Sequence, residues 1–581
     1  MTEPDEVKVG TLAELTARGC LTAKLGNRPV CVFYDDGAVF AVEDRCPHMG
    51  FPLHRGTVEA GLLTCHWHHA RFDLASGGTL DPFADDVPAF GVEIRDGDVH
   101  VLAGNDPDRV ARLYRRLEEG LEQGITLVIA KAVLALLESG VGAEDIVAAG
   151  ITFGTKYRRE GWGPGLTVLV AMANVLPVLE PADRPLALVH GLAFLSGDTV
   201  GRSPRFPLSA LDSALPLERL TTWYRRFIDT RSPDAAERSL ATAVAAGNGP
   251  AELASLLCSA VTDHVFIDEG HTIDFTNKAF EALEHIGWDR ASEVLTTLVV
   301  GTASAQRHEE ESAWRHPVDL AALLSASATT EVLRGRLGAA AGGSGSSTFS
   351  DEDVDGLAWA ILADDPVGII GCLDRAVDAG ASPEQLARAV AYAAALRIVR
   401  FHTQNDHGDW NEVHHGFTSA NAVHQSVVRS PSVELVRGVY QGAMRVYLDR
   451  FLNVPAARQP SASNGAGHLG DLQACWDTEG GVDEAGQIAY RFLAGGGSPA
   501  LLIATLGRAL LTEDAQFHWF QIYEAAVRQH AAWPPGSEQG RLILAGCARF
   551  LAAHTPTRRE RSQVVRIATR LRRGEPLYEE T

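Results

Sequence analysis

The sequence has no run near the roughly 20 uninterrupted apolar residues that a membrane-spanning helix requires, although hydrophobic residues fill 46% of its 581 positions. Positive charge is scarce: 51 Lys and Arg against 74 Asp and Glu give a formal net charge of −23. That balance repels phosphate backbones and anionic lipid, so neither nucleic acid nor membrane is an expected partner. Cysteine is sparse as well, with eight at positions 20, 31, 46, 65, 258, 372, 475 and 547, scattered rather than spaced as a disulfide framework. The first residues, MTEPDEVKVG, are acidic and polar where a secretory signal is basic and then apolar, and the expectation is a soluble cytoplasmic protein. No Gly-x-Gly-x-x-Gly follows a strand and no Gly-x-Ser-x-Gly elbow occurs, which removes the usual nucleotide and serine-hydrolase signals. What remains is too long for one core.

Two regions of different texture fill that length. Residues 7 to about 103 alternate in short segments such as PVCVFYDDGAVFAVED, with Asp36-Gly37 and Arg95-Asp96-Gly97-Asp98 placed as hairpin turns. Inside this β-rich part lie CPHMG at 46–50 and CHWHHARFD at 65–73. Two thiolates and two imidazoles, Cys46, His48, Cys65 and His68, suit a [2Fe-2S] centre with two cysteines on one iron and two histidines on the other. A tetrahedral Cys₂His₂ zinc site is the structural alternative, for which Cys-x-His is an awkward spacing.

On these two loops, with Gly50, Gly56, Trp67, Phe72 and Asp73 around them, residues 7–103 resemble a Rieske ferredoxin domain. The resemblance implies an all-β domain over 1–104, selects His68 over the flanking His66 and His69, and implies a centre that relays single electrons in a range of roughly −150 to +300 mV. Respiratory Rieske proteins add a second cysteine to each loop; here Phe51 stands in that stretch with no further cysteine, so the resemblance is to the ferredoxin or oxygenase type. An external reductase is the implied electron donor.

Beyond residue 110 long helical periodicity takes over. Gly-rich steps recur before apolar helices: GVGAEDI from Gly140, GNGPAEL from Gly247, GASPEQL from Gly380 and GGSPALL from Gly496. Glycine ends one helix, and proline or a small polar residue starts the next. We read 110–581 as an all-α domain of four divergent helical repeats, giving a multidomain α+β chain. Gly191, Gly301, Gly442 and Gly546 recur where helices should pack closely, and 342–356 and 459–471 read as connectors.

The repeats differ in one segment each. The second has DHVFIDEGH (263–271) and the third DHGDWNEVHH (406–415), so His264, Glu269 and His271 align with His407, Glu412 and His414, ahead of Asn277 and Asn421. The register carries one ambiguity, because His415 rather than His414 keeps the five-residue gap to Asn421. The first repeat offers TKYRREGWGPG, and the fourth only EDAQFH, with Asp514 and His518. Residues 401–424 hold five histidines. Two imidazoles and a carboxylate are a non-haem iron ligand set, and two facing sets could hold one iron or two. The metal candidates are therefore His264, Glu269, His271, His407, Glu412 and His414, with Asp263, Asp406 and His415 as candidate catalytic groups. The bland reading of such runs is a solvated loop, and His271, Asp274, Lys278, Glu281 and His285 share one helical face that is ordinarily the wet one.

No segment after 104 carries the Asp/Glu-x-x-His-x-x-x-x-His string of familiar Rieske oxygenases. Through GHTIDFTNKAFEALEHIG the helical part is similar to questin oxidase-like proteins, which insert oxygen into aromatic polyketides. The expected function is a Rieske-fused non-haem iron oxygenase acting on a small apolar or aromatic molecule, with a homo-oligomer among the expected assemblies. The rivals are a non-catalytic electron carrier or sensor on a helical scaffold, and a zinc or manganese hydrolase or isomerase with a regulatory Rieske centre.

Overall fold

A computed structural model describes residues 6–102, 108–342, 349–462, 467–575 and 577, the side chains of 340–342 and 407 aside. By internal contacts the chain divides into two units, Met1–Ile146 with Arg561–Thr581, and Val147–Glu560.

Among the described residues of the first unit, nine strands form two sheets: β1 (Glu6–Thr11), β2 (Cys20–Leu25), β3 (Arg28–Asp35), β4 (Ala38–Glu43), β5 (Thr57–Glu59), β6 (Leu62–Thr64), β7 (Arg71–Asp73), β8 (Ala89–Arg95) and β9 (Asp98–Leu102). The large sheet runs β1-β9-β8-β4-β3-β2 and the small one β5-β6-β7, with antiparallel pairing. Both expected hairpins are present. Asp36-Gly37 and Asp96-Gly97 take φ of 45° and 81°, and 52° and 83°, the left-handed pair that matches the twist of the flanking strands. Alternation buries Val30, Val32, Ala41, Val99 and Val101 with Leu15 on one side. Leu53, Leu63, Phe72 and Val87 form a second core around Cys46 and Cys65.

Helices complete this unit. Arg109–Gln123 and Thr126–Glu138 follow the strands, and the last helix, Glu560–Arg572, returns to it from residue 561. The contact boundary thus lies beyond the strand-to-helix change near 104. Arg116 donates from Nε to Asp85 (2.8 Å) and from a terminal nitrogen to the carbonyls of Pro82 and Ala84 (2.7 Å each). Arg45 donates to the Gly574 carbonyl at 2.8 Å.

The second unit is helical. The four motif glycines, Gly140, Gly247, Gly380 and Gly496, all have φ between 79° and 87° and precede the helices Ala143–Tyr157, Pro250–Asp263, Pro383–Val399 and Pro499–Thr512. Gly140, at the end of the first unit, and the three in the second each let the chain reverse where a Cβ would strain. The helices that come next, Pro164–Val175, His271–Ile286, Trp410–Arg429 and Phe517–Ala531, pack each against two of the others and close a ring. A Cβ added to Gly191, Gly442 or Gly546 would lie 2.9–3.2 Å from Leu169, Val390 or Val399, whereas Gly301 faces open space. Of the expected connectors, residues 343–348 and 463–466 lie outside the described residues, but Asp351–Ile361 is helix: Ser350 caps it in a reciprocal capping box with Asp353, a start signal that the acidic run concealed. Among the described residues no helix is long and apolar enough to cross a membrane.

Candidate functional site

Two sites emerge, one in each unit. In the first, the two β-domain loops are built alike. The Cys46 carbonyl accepts from the Gly50 amide (2.7 Å) and the Cys65 carbonyl from the His69 amide (3.0 Å), with Gly50 and His69 both left-handed at φ 84° and 60°. His69 therefore closes its loop through backbone, and His66, His68 and His69 are all exposed residues. The Cys46 and Cys65 thiols are close enough to hydrogen-bond; that contact, reinforced by burial, pushes Cys46 up, and against burial it draws Cys65 down to about 6. The His48 and His68 rings meet edge to face at 4.7 Å. Burial, then His68 and Lys131, lower His48 to about 4, and its buried Nδ1 has no hydrogen-bond partner. Two converging thiols and two imidazoles with an orphaned nitrogen fit a [2Fe-2S] group held by Cys46, Cys65, His48 and His68. All eight cysteines are free.

The second site lies where the ring helices begin. The segment from Val265 to Gly270 is wound tightly: Phe266, Asp268, Glu269 and Gly270 have φ of 44°, 52°, 54° and 86°. Three of these are not glycine, and such a conformation stores strain that the surroundings must hold. Glu309 accepts from the Val265 amide (2.8 Å), Gln306 from the Asp268 amide (2.8 Å) and Gln441 from the Phe266 amide (3.4 Å). At Gly270 a Cβ would sit 2.6 Å from that of Ser419.

This winding delivers His271 to His415 and His518. One nitrogen from each of the three rings lies within 4.8 Å of the others, and the His271–His415 and His415–His518 ring centres are 4.7 and 5.0 Å apart. His415 is 4% exposed, and neither ring nitrogen makes a hydrogen bond, although Glu269 Oε2 stands 3.1 Å from its Nδ1. Burial lowers all three imidazoles, His518 to about 3, so they are neutral with free lone pairs. Burial also raises Glu269, with Glu412 adding to it.

The other predicted residues lie elsewhere. His264 faces Glu309 (2.8 Å). Glu412 pairs with Arg445, which also meets Asp449 at 3.0 Å. His414 abuts His518 but spends its nitrogens on the Asn411 carbonyl and Gln521 (3.2 and 3.4 Å). Asp263 is held by Arg225 and Arg437, and Asp406 is exposed. The His407 side chain lies outside the described residues. The register set by Asn277 and Asn421 thus places His415, not His414, opposite His271. The sequence reading did not place His518 in this cluster; its signal was its place near the start of the fourth ring helix, as His271 starts the second.

The face expected to be wet is interior through its middle, while His271 is half-buried and His285, at the far end, is exposed. Asp274, Lys278 and Glu281 are buried. Lys278 Nζ donates to Glu281 (2.8 Å) and Glu524 (3.0 Å), Asn174 donates to both, and Gln521 donates to Asp274. Burial raises Asp274 to about 7 against the pull of Lys278. Beside His271, Asp268, Thr272 and Phe275 border a cavity of about 220 Å³ that Arg158, Trp162 and Leu298 also line. The Phe275 ring stacks on His271 at 5.5 Å.

Comparison with known proteins bears on the first site. Residues 5–91 match the family described as the Rieske [2Fe-2S] domain. The chain is 30% identical over 97 residues, 16% of its length and 90% of the relative, to the anthranilate 1,2-dioxygenase ferredoxin subunit of Burkholderia cepacia. It is 29% identical over 163 residues, 28% of its length, to human apoptosis-inducing factor 3, and spans only 25% of that protein. Among solved structures, the ferredoxin of carbazole 1,9a-dioxygenase from Nocardioides aromaticivorans IC177 matches at 25% identity over 17% of this chain and all of the other, with a TM-score of 0.17.

Proposed function

Because the chain belongs to the Rieske [2Fe-2S] family through residues 5–91, we propose that it is a Rieske-fused oxygenase. In this reading an external reductase delivers electrons at Cys46, His48, Cys65 and His68, and they serve iron held by His271, His415 and His518, where dioxygen meets a small apolar or aromatic substrate. The observation that carries it is His415, a buried imidazole whose nitrogens have no hydrogen-bond partner, within reach of two further imidazoles. Bound at these residues, the cluster supplies single electrons and the iron supplies dioxygen chemistry that an electron relay lacks. The chain's own part is to keep three imidazoles neutral by burial, to hold the Glu269 carboxylate beside His415, and to offer Phe275 and Trp162 as an apolar wall for the substrate.

The test is composition. Protein matured with iron should carry more than two irons per chain with sulfide at two, and His415→Ala should lose the excess iron and oxidation activity while keeping the Rieske EPR signal. Iron and sulfide both at two, with no other metal, would instead leave an electron carrier on a helical scaffold. A trio of imidazoles without thiolate is also a catalytic zinc set, and this favours one second reading, a hydrolase or isomerase with a regulatory Rieske centre. Turnover indifferent to dioxygen would identify it.

A further inference from the structure

The helical hairpin that follows the strands reaches into the cluster loops with one charged side chain. Lys131, in the helix Thr126–Glu138, is 5% exposed. Its Nζ donates at 2.7 Å to the carbonyl of Pro47, the residue between Cys46 and His48. On its other side Asp85 Oδ2 lies 3.1 Å away, and Asp85 is itself fixed by Arg116 Nε at 2.8 Å while Arg116 also holds the Pro82 and Ala84 carbonyls. A buried ammonium is thus seated on the peptide joining a cysteine ligand to a histidine ligand, and it comes from outside the strands.

We propose that Lys131, with its charge offset in part by Asp85, sets the reduction potential of the [2Fe-2S] centre and acts as a positioning residue for it. Reduction adds one electron from the external donor and one unit of negative charge at the Cys46, His48, Cys65 and His68 site, with no bond made or broken. A positive charge held nearby in a poorly screened interior favours the reduced form, and net charge and hydrogen bonding are established levers on such potentials. The neighbouring carboxylate opposes it, so the two residues push the potential in opposite directions. This inference is independent of what the helical unit catalyses.

The experiment is a mediated redox titration of the full-length holoprotein, following the Rieske EPR signal. Lys131→Gln, which can still donate to Pro47 but carries no charge, should shift the midpoint to more negative potential, and Lys131→Arg should stay near the parent. Asp85→Asn should shift it to more positive potential. A residue that merely packs would not move the midpoint in opposite directions while the EPR line shape stays constant. Lys131→Gln with an intact signal and an unmoved midpoint would overturn the proposal. If that variant fails to load its cluster, Asp85→Asn decides: a positive shift supports the inference and an unmoved midpoint overturns it.

Discussion

At the scale of residues, the buried carboxyl of Asp274 gives a clear pH signature. Held at about 7 by burial, it lies above its ordinary value near 3.9. Below about pH 4 it is protonated in both folded and unfolded chains and costs nothing; as pH rises toward 7 the unfolded chain releases the proton first, so stability falls and the loss is complete above 7. Asp274→Asn should therefore melt higher than the parent at pH 8 and by a smaller margin at pH 5, in thermal unfolding of the holoprotein. Equal margins at the two pH values would contradict that assignment. The four candidate ligands of the Rieske loops were legible through the resemblance of two motifs that lie in short loops whose backbone closes locally; spacing alone did not choose His68 over His66 and His69. The histidine trio was half legible: His271 and the segment containing His415 stood out by duplication, but two adjacent histidines cannot be told apart without the register of the helix. His518 shares almost no local identity with them, and only closure of the four helices places it there.

Among elements, the wound segment before His271 carries the strongest constraint. Phe266, Asp268 and Glu269 in left-handed conformation cost on the order of 1–3 kcal/mol each, which Gln306, Glu309 and Gln441 must offset. Gly270→Ala, meeting Ser419 at positive φ, should destabilise the protein by about 1–3 kcal/mol and lower its content of non-Rieske metal. Calorimetry and metal analysis would check both, and a variant unchanged in either measure would show that the segment tolerates relaxation. The hairpin turns and the helix-stopping glycines were readable because each depends on one or two residues with special φ. The polar stripe from Asp274 to Glu281 was misread for the opposite reason: period 3.6 reveals a polar face, but water and a shared polar interior leave the same pattern. Partners such as Glu524 and Asn174, more than 100 residues away, decide between them.

For the whole molecule, the return of the last helix to the first unit was invisible in the sequence, since no pattern near residue 560 marks where that helix docks. Leu571 comes against Gly50 in the first cluster loop, Arg572 pairs with Glu138, and the Gly574 carbonyl accepts from Arg45. Deleting 561–581 should lower the temperature at which the Rieske absorbance bleaches and speed cluster loss to a chelator. Identical bleaching curves would mean that the helix contributes nothing to retention.

Arg45 and Gly574 stand 529 positions apart. During synthesis the cluster-binding loops precede the helix that completes their unit by the whole of the histidine-bearing unit. At ordinary elongation rates of about 5–20 residues per second, the loops wait roughly half a minute or more before that helix can dock. Iron–sulfur delivery to this chain thus has a long open interval, and a truncated translation product never reaches the state in which its cluster loops are closed over.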